Sequence, residues 1–349
     1  MNGEATTPRP NLAAVAARAG VSPSTASLAF SGAGPVSEAT KARVLAAAVE
    51  LNYAGPDPLA QSLRRGRSGI VGVVLEDRLR DAFRDPITVQ MLDGIADELG
   101  AAGFGLLLLT ETGSEATSIA VAPMDGVVLV GCSTRLDKSV STLRQRGLPI
   151  VAIEADPMPD VLPIDLDNRT AMARGAAYLR DLGHERVAVV TLPLDPEHRT
   201  GWLTPEREAV TSAHTAAQRL LGVRDVFPGA VGYSAAGSLI EEGELAGMAL
   251  LERPDRPTAV IAQSDLLAVG VLRAAQRLGI DVPAELSILG FDGARIDGLA
   301  PHTLTTIVQD AVAKGRAAGR AIIELTRGGS PAPAAFTSEL RVGTTTGPA

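Results

Sequence analysis

The apolar positions of the first fifty residues recur at helical spacing in three short blocks. Leu12, Val15, Ala16 and Ala19 mark the first. Gly20 supplies a turn, and Ser22-Pro23 supplies an N-cap followed by proline at the first helical position. In the second block Ala26, Ala29 and Phe30 form the inward stripe, leaving Ser24, Ser27, Leu28 and Ser31 on the outer face. Two helices, a glycine turn of three to four residues and a small polar outer face describe a helix-turn-helix of the DNA-binding kind; an ordinary helical hairpin is the plainer alternative. Ser37 caps a third helix, Glu38 places an acid in its first turn, and Val44, Leu45, Ala48 and Leu51 give its stripe. Three such helices enclose a small core that ends at Asn52-Tyr53-Ala54-Gly55-Pro56.

The next segment, Asp57 to Leu63, is capped by Asp57 and started by Pro58 but spans only two turns. Isolated helices shorter than roughly 12–15 residues are marginal in water, so this one is expected to be helical only when docked. Arg64, Arg65 and Arg67 surround Gly66 after it.

From Gly69 onward apolar strands alternate with helices. Strands are expected at 70–75, 105–109, 126–130, 150–153, 186–191, 259–262 and 286–291. Helices are expected along Ile87, Met91, Ile95 and Leu99, and around 168–182, 206–221, 234–251, 265–278 and 310–326. This alternation implies parallel sheets covered by helices, and two runs of it imply two sub-domains with a cleft between them. Ligands of open α/β sheets sit beyond the carboxyl ends of the strands.

Composition narrows the class. The 349 residues carry 46% hydrophobic and 21% charged side chains, enough for two or three domains with real cores. The net charge of −8 looks wrong for a nucleic-acid binder until it is divided. Residues 1–68 hold seven basic and four acidic residues, a net of +3, and the remaining 25 basic and 36 acidic residues give −11. A basic head on an acidic body suits phosphate contact by the head alone. The single Cys132 cannot pair within the chain, no run of about 18 apolar residues occurs and MNGEATTPRP lacks a signal-peptide core, so a soluble cytoplasmic protein without membrane contact is expected.

Enzyme signatures are missing. No G-x-G-x-x-G follows a strand, and neither a P-loop nor G-x-S-x-G occurs. His184, His198, His214 and His302 are scattered without metal-ligand spacing, so no metal, cofactor or catalytic residue is assigned. A solute-binding protein, or an α/β enzyme with an accessory helical domain, is the rival reading; the former would need a secretion signal and would not need residues 1–68.

AAVAARAGVSPSTAS, VSEATKARVLAAAVELNY, PLAQSLRRGRSG, PTAVIAQSDLLAVGVLRAAQRLGIDVPAELSILGFD and LTTIVQD occur in this order, and together they resemble the lactose-repressor (LacI/GalR) family of bacterial transcription regulators from about Asn11 to Gly343. The resemblance implies an α/β chain with a three-helix helix-turn-helix head and a two-subdomain, periplasmic-binding-protein-like core with parallel sheets. It implies a head at 1–56, a hinge helix and linker at 57–68, and a core at 69–349. The N-subdomain would take about 69–166 and 310–332, and the C-subdomain about 167–309 and 333–349. It implies a repressor controlled allosterically by a small effector, such as a sugar or similar polar metabolite, and acting as a homodimer on a near-palindromic double-stranded operator. Tetrameric relatives carry a C-terminal heptad tail that Gly343 to Ala349 lacks.

Residue by residue, the resemblance places Pro23, Ser24, Ser27 and Leu28 on the groove side of the second helix. Ser22 and Thr25 suit phosphates. Leu28 stands where the family often has arginine; it could contact a thymine methyl, or pack inward against the third helix. Leu63 matches a leucine that wedges into a central base step, with Leu59, Ala60 and Arg64 beside it, although Gly55 is an extra residue before the hinge. For the effector the resemblance points to Arg207, Ser264, Asp265, Asp292 and Gln309, with Phe83 and Trp202 able to stack on a ring. Ser264 stands where most relatives have asparagine, and Ser264 and Asp265 could equally be helix caps. Val210 stands where the family has glycine three places after its arginine.

Overall fold

The computed structural model describes residues 10–32, 34–55, 62, 66–75, 79–110, 117–131 and 137–349. Leu59, Ala60, Leu63, Arg64, Arg65 and Cys132 lie outside them. The chain divides into two compact units, Met1–Ser68 and Gly69–Ala349.

Among its described residues the first unit holds helices α1 (Leu12–Ala19), α2 (Pro23–Ser31) and α3 (Glu38–Glu50). Each start is capped by a side chain that accepts from a backbone amide three residues on: Asn11 from Ala14 (2.9 Å), Ser22 from Thr25 (3.1 Å) and Ser37 from Thr40 (3.2 Å). Gly20, at φ +63°, ends α1 in the left-handed conformation that glycine adopts without strain. Val15, Ala16, Ala26, Ala29, Val44, Ala47 and Ala48 form the core, with Phe30 edge-on to Tyr53 at 5.7 Å. Leu45 is not part of that stripe. The face of α3 that meets α1 and α2 runs through Val44, Ala47 and Ala48, and Leu45 is turned out with 41% of its surface exposed.

Among its described residues the second unit contains two sheets. The first has six parallel strands: Ala334–Phe336, Val161–Leu166, Ile150–Ile153, Gly126–Val130, Ile70–Leu75 and Gly105–Thr110 in spatial order. The second has seven: Glu339–Arg341, Thr305–Val308, Ser287–Asp292, Ala259–Ala262, Val187–Thr191, Val231–Ser234 and Gly201–Trp202, antiparallel only at its two edges. The chain passes between sheets three times, near 166–168, 308–311 and 336–339. Ala334–Phe336 pairs with Ile164–Leu166, so this piece of the tail belongs to the first sheet, not with the C-subdomain expected to hold 333–349. Its three residues complete an edge before the last crossing.

Helices pack in pairs at unusually close range. Helix 86–101 meets helix 311–326 through Gly94 and Gly315; a Cβ on Gly315 would lie 2.1 Å from the Met91 carbonyl oxygen. Such contacts fix the helices against each other with little room for adjustment. The segment expected as one helix over 206–221 is two, Pro205–Ala209 and His214–Val226, and the helix expected over 234–251 begins only at Ile240, after strand Val231–Ser234.

Candidate functional site

Helix α2 presents Pro23, Ser24 and Leu28 to solvent, with Thr25 and Ser27 half-buried. Ser22 and Thr25 share a hydroxyl contact of 2.9 Å, so the cap also steadies the first turn. Leu28 leans toward the loop after its helix: a Cβ on Gly34 would lie 3.0 Å from its side chain. It is neither a free anchor nor buried against α3. The outer face is thus short, polar and set on a firmly capped helix.

In the second unit a cavity of about 170 Å³ lies among strand ends of both sheets. Its polar lining includes Asp85, Glu154, Asp195, His198, His214, Arg219, Ser264, Asp292 and Gln309, against an apolar wall that includes Leu75, Ile87, Met91, Val130 and Leu192. Among the described residues, three of the five non-glycine residues with positive φ line it: Glu154 (φ 54°), His198 (φ 52°) and Asp292 (φ 126°). Each such conformation costs on the order of 1–3 kcal/mol and persists only where the surroundings hold it.

The charges at the base of the cavity are buried and tied together. Arg219 donates to Asn168 Oδ1 (2.8 Å) and to the Gln263 carbonyl (2.6 Å), and its guanidinium lies 3.6 Å from the centre of the Phe291 ring. It also stands 3.7 Å from both Glu154 and Asp292. Burial alone would raise the Glu154 carboxyl, but Lys314 and then Arg219 outweigh it and hold it at about 2. Asp292 goes the other way: burial pushes its carboxyl well up, opposed by Arg219. Gln309 donates to Asp292 at 2.6 Å.

Among the residues expected at the effector site, Ser264, Asp292 and Gln309 meet at the cavity. Ser264 is also a helix cap, accepting from the Leu267 amide at 3.3 Å. The other four are placed elsewhere. Asp265 is turned into the sub-domain, where it accepts from the Ala294 amide (2.7 Å) and the Thr306 hydroxyl (2.5 Å) and burial pushes it up to about 7. Its carboxylate ties a loop to a strand. Trp202 sits on an edge strand, edge-on to Tyr233 at 5.4 Å and beneath Arg253 at 5.2 Å. Phe83 is 57% exposed beyond the last turn of helix 79–82. Arg207 donates to the carbonyls of Trp202 and Arg199 and stands 3.7 Å from Asp195, which does line the cavity.

The arginine that occupies the cavity is Arg219. The glycine three places on is Gly222, where an added Cβ would lie 2.3 Å from the Arg169 carbonyl oxygen. One helical turn beyond Arg219, helix 214–226 crosses helix 168–181 too closely for any side chain. Arg-x-x-Gly at 219–222 was therefore the available signal, and the absence of glycine at 210 was the warning against Arg207.

Comparison with known proteins fits this geometry. Residues 11–55 match the bacterial regulatory proteins, lacI family, and residues 176–346 match the periplasmic binding protein-like domain. An HTH-type transcriptional regulator of Mycolicibacterium smegmatis is 33% identical over 362 residues, covering 97% of each chain. The HTH-type transcriptional repressor CytR of Escherichia coli is 32% identical, covering 90% of this chain and 89% of its own. Among solved structures, a LacI-family transcriptional regulator from Corynebacterium glutamicum superposes with a TM-score of 0.72 at 27% identity, covering 96% of this chain and 98% of its own. The lac repressor dimer bound to operator and the anti-inducer ONPF superposes at 0.78 with 22% identity, over 97% and 99%. The fold and its cavity define a ligand-responsive DNA-binding regulator. The chain belongs to the LacI family of bacterial transcriptional regulators.

Proposed function

We propose that this regulator is a cytoplasmic homodimeric repressor, with no catalytic role, whose grip on a near-palindromic operator is set by a neutral, hydroxyl-rich effector in the cavity of the second unit. One observation carries the effector class. Arg219, which lines the cavity, and Lys314, which stands behind its Glu154 and Gln309, are already committed to acids, amides and carbonyls of the protein. A phosphorylated or carboxylate ligand would need an uncommitted cation to offset its desolvation. A hydroxyl-rich ligand needs mixed donors and acceptors, which Asp292, Gln309, Ser264 and Glu154 supply.

On DNA, Ser24, Ser27 and Leu28 would face bases while Ser22, Pro23, Thr25 and the helix start would set register on phosphates. Leu28 cannot make the bidentate guanine contact that arginine makes, so the half-site would favour a thymine methyl there. Leu59, Ala60, Leu63 and Arg64 would form the minor-groove segment. The effector acts only if it binds one arrangement of the two sub-domains better than the other.

A thermal-shift panel of free sugars, polyols and nucleosides beside their phosphorylated forms tests this reading. A stabilising neutral member that also changes the shift of a palindromic DNA probe is expected. Stabilisation by phosphorylated members alone would overturn the effector class.

A further inference from the structure

Among the described residues of the second unit, Lys314 is the largest fully buried charged side chain, with no exposed surface. It lies in the first turn of helix 311–326, just past a crossing between sheets. A lysine in such a place is costly unless each donor is engaged. Its ammonium donates to Glu154 Oε1 and to Gln309 Oε1. With its oxygen held there, Gln309 must turn its amide nitrogen to Asp292, where it donates at 2.6 Å. The second Glu154 oxygen accepts from Asn168 at 2.7 Å, Asn168 accepts from Arg219 at 2.8 Å, and Arg219 stands 3.7 Å from Asp292. Six buried side chains therefore close a ring: Lys314, Glu154, Asn168, Arg219, Asp292 and Gln309.

The ring touches two of the three crossings directly, through Asn168 and through Gln309 with Lys314. The third is tied to the first: Asp167 accepts from the Ser338 amide at 2.9 Å, and its own amide donates to the Phe336 carbonyl at 3.1 Å. Four ring members line the cavity and two, Lys314 and Asn168, do not.

We propose that Lys314 is a positioning residue of the effector site, orienting Glu154 and Gln309 toward the cavity and, through the ring, clamping the crossings between the sub-domains. Resting on the reading above, a ligand hydroxyl that takes over a bond of Glu154, Asp292 or Gln309 opens the ring, and the opening is felt where the sub-domains are joined. The clamp itself is a property of the ligand-free protein, so its test is independent of the sugar panel.

Two variants of the full chain separate this from simple space-filling. In Lys314→Met the Glu154 carboxyl loses its strongest partner. The charged groups still bearing on it are Arg219 from helix 214–226 and Asp165 from strand 161–166. His214 faces Asp156 and Asp165, and Asp85 bears on Asp292. Burial then raises the carboxyl, and a raised acid loses stability as pH climbs through its new value. The thermal midpoint of Lys314→Met should fall further below wild type as pH rises from 5 to 8. Adding Glu154→Gln should flatten that dependence and recover most of the midpoint. In the recovered double variant, amides at 166–168, 308–311 and 336–339 should exchange hydrogen about tenfold faster than in wild type, while those of 126–130 and 259–262 keep their rates. A pH-independent deficit in Lys314→Met, or wild-type exchange at the crossings in the double variant, would overturn the proposal.

Discussion

The two surfaces proposed to recognise DNA and effector are held by opposite means. On α2 the bonds that fix the outward residues are short in sequence: Ser22 reaches Thr25, and the neighbouring caps also span three residues. At the cavity the contacts between charged groups come from far apart in the chain, Lys314 to Glu154 spanning 160 residues and Arg219 to Asn168 spanning 51. Helix α2 is therefore rigid as soon as it is a helix, whereas the cavity exists only once both sheets are in place. A fault in the first should be local, and a fault in the second should be felt throughout its unit.

The sharpest challenge to that contrast is Arg219→Met. It fills the volume but leaves Glu154 and Asp292 without their shared cation and Asn168 without its donor. Breaking one side of a buried charge network typically costs about 3–5 kcal/mol. Chemical denaturation should show that loss in the Gly69–Ala349 transition, together with loss of any ligand-induced thermal shift. A variant with wild-type stability would mean the network contributes no net order.

The same contrast decides what was legible in the sequence. Strands 126–130, 150–153 and 259–262 were found at their observed limits because every residue in them is buried, which leaves an uninterrupted apolar run. Val161–Leu166 was missed because Pro163 and Asp165 interrupt it and most of its residues are only half-buried. Val231–Ser234 is not among the expected strands because Gly232 and Ser234 break its apolar run, and its last residue falls at the start of the helix expected over 234–251. The head was readable down to its caps, since caps are neighbours in sequence. Lys314 reads as a surface lysine in an Ala/Gly-rich helix, and only three-dimensional packing reveals Glu154 beside it. Asp265, by contrast, carries a site-like pattern yet is spent on holding Ala294 and Thr306 in place.

Next in size is Leu63→Ala. A side chain that wedges a base step is worth a few kcal/mol of the bent complex. Operator affinity should fall by about one to two orders of magnitude at fixed salt, with thermal shifts by effector unchanged, as measured by gel shift and calorimetry. Unaltered operator affinity would remove the wedge and leave DNA reading to α2 alone.

Ser22→Ala should cost about 1 kcal/mol, the usual worth of an N-cap. Because the bond it removes is local, the loss should appear in the unfolding of Met1–Ser68 and in weaker operator binding. The unfolding of Gly69–Ala349 should not change. A shift in both transitions would show that the head and core unfold together, and the local reading of α2 would fail.

The smallest effect is expected at a contact that belongs to neither scheme. Arg84 and Glu241 meet at 2.7 Å from opposite sub-domains, yet both side chains remain about half exposed or more. Water and salt screen such a pair, and holding two long side chains together offsets part of the attraction, so Glu241→Gln should change stability by at most about 1 kcal/mol. What distinguishes this pair is that it exists only while helices 79–82 and 240–251 approach each other. Its loss should therefore be read in effector affinity, with a modest weakening at low salt that vanishes at high salt. An effect as large as that of Arg219→Met would mean that exposed contacts govern the cavity, and the division between a locally fixed DNA face and a buried, long-range ligand site would no longer hold.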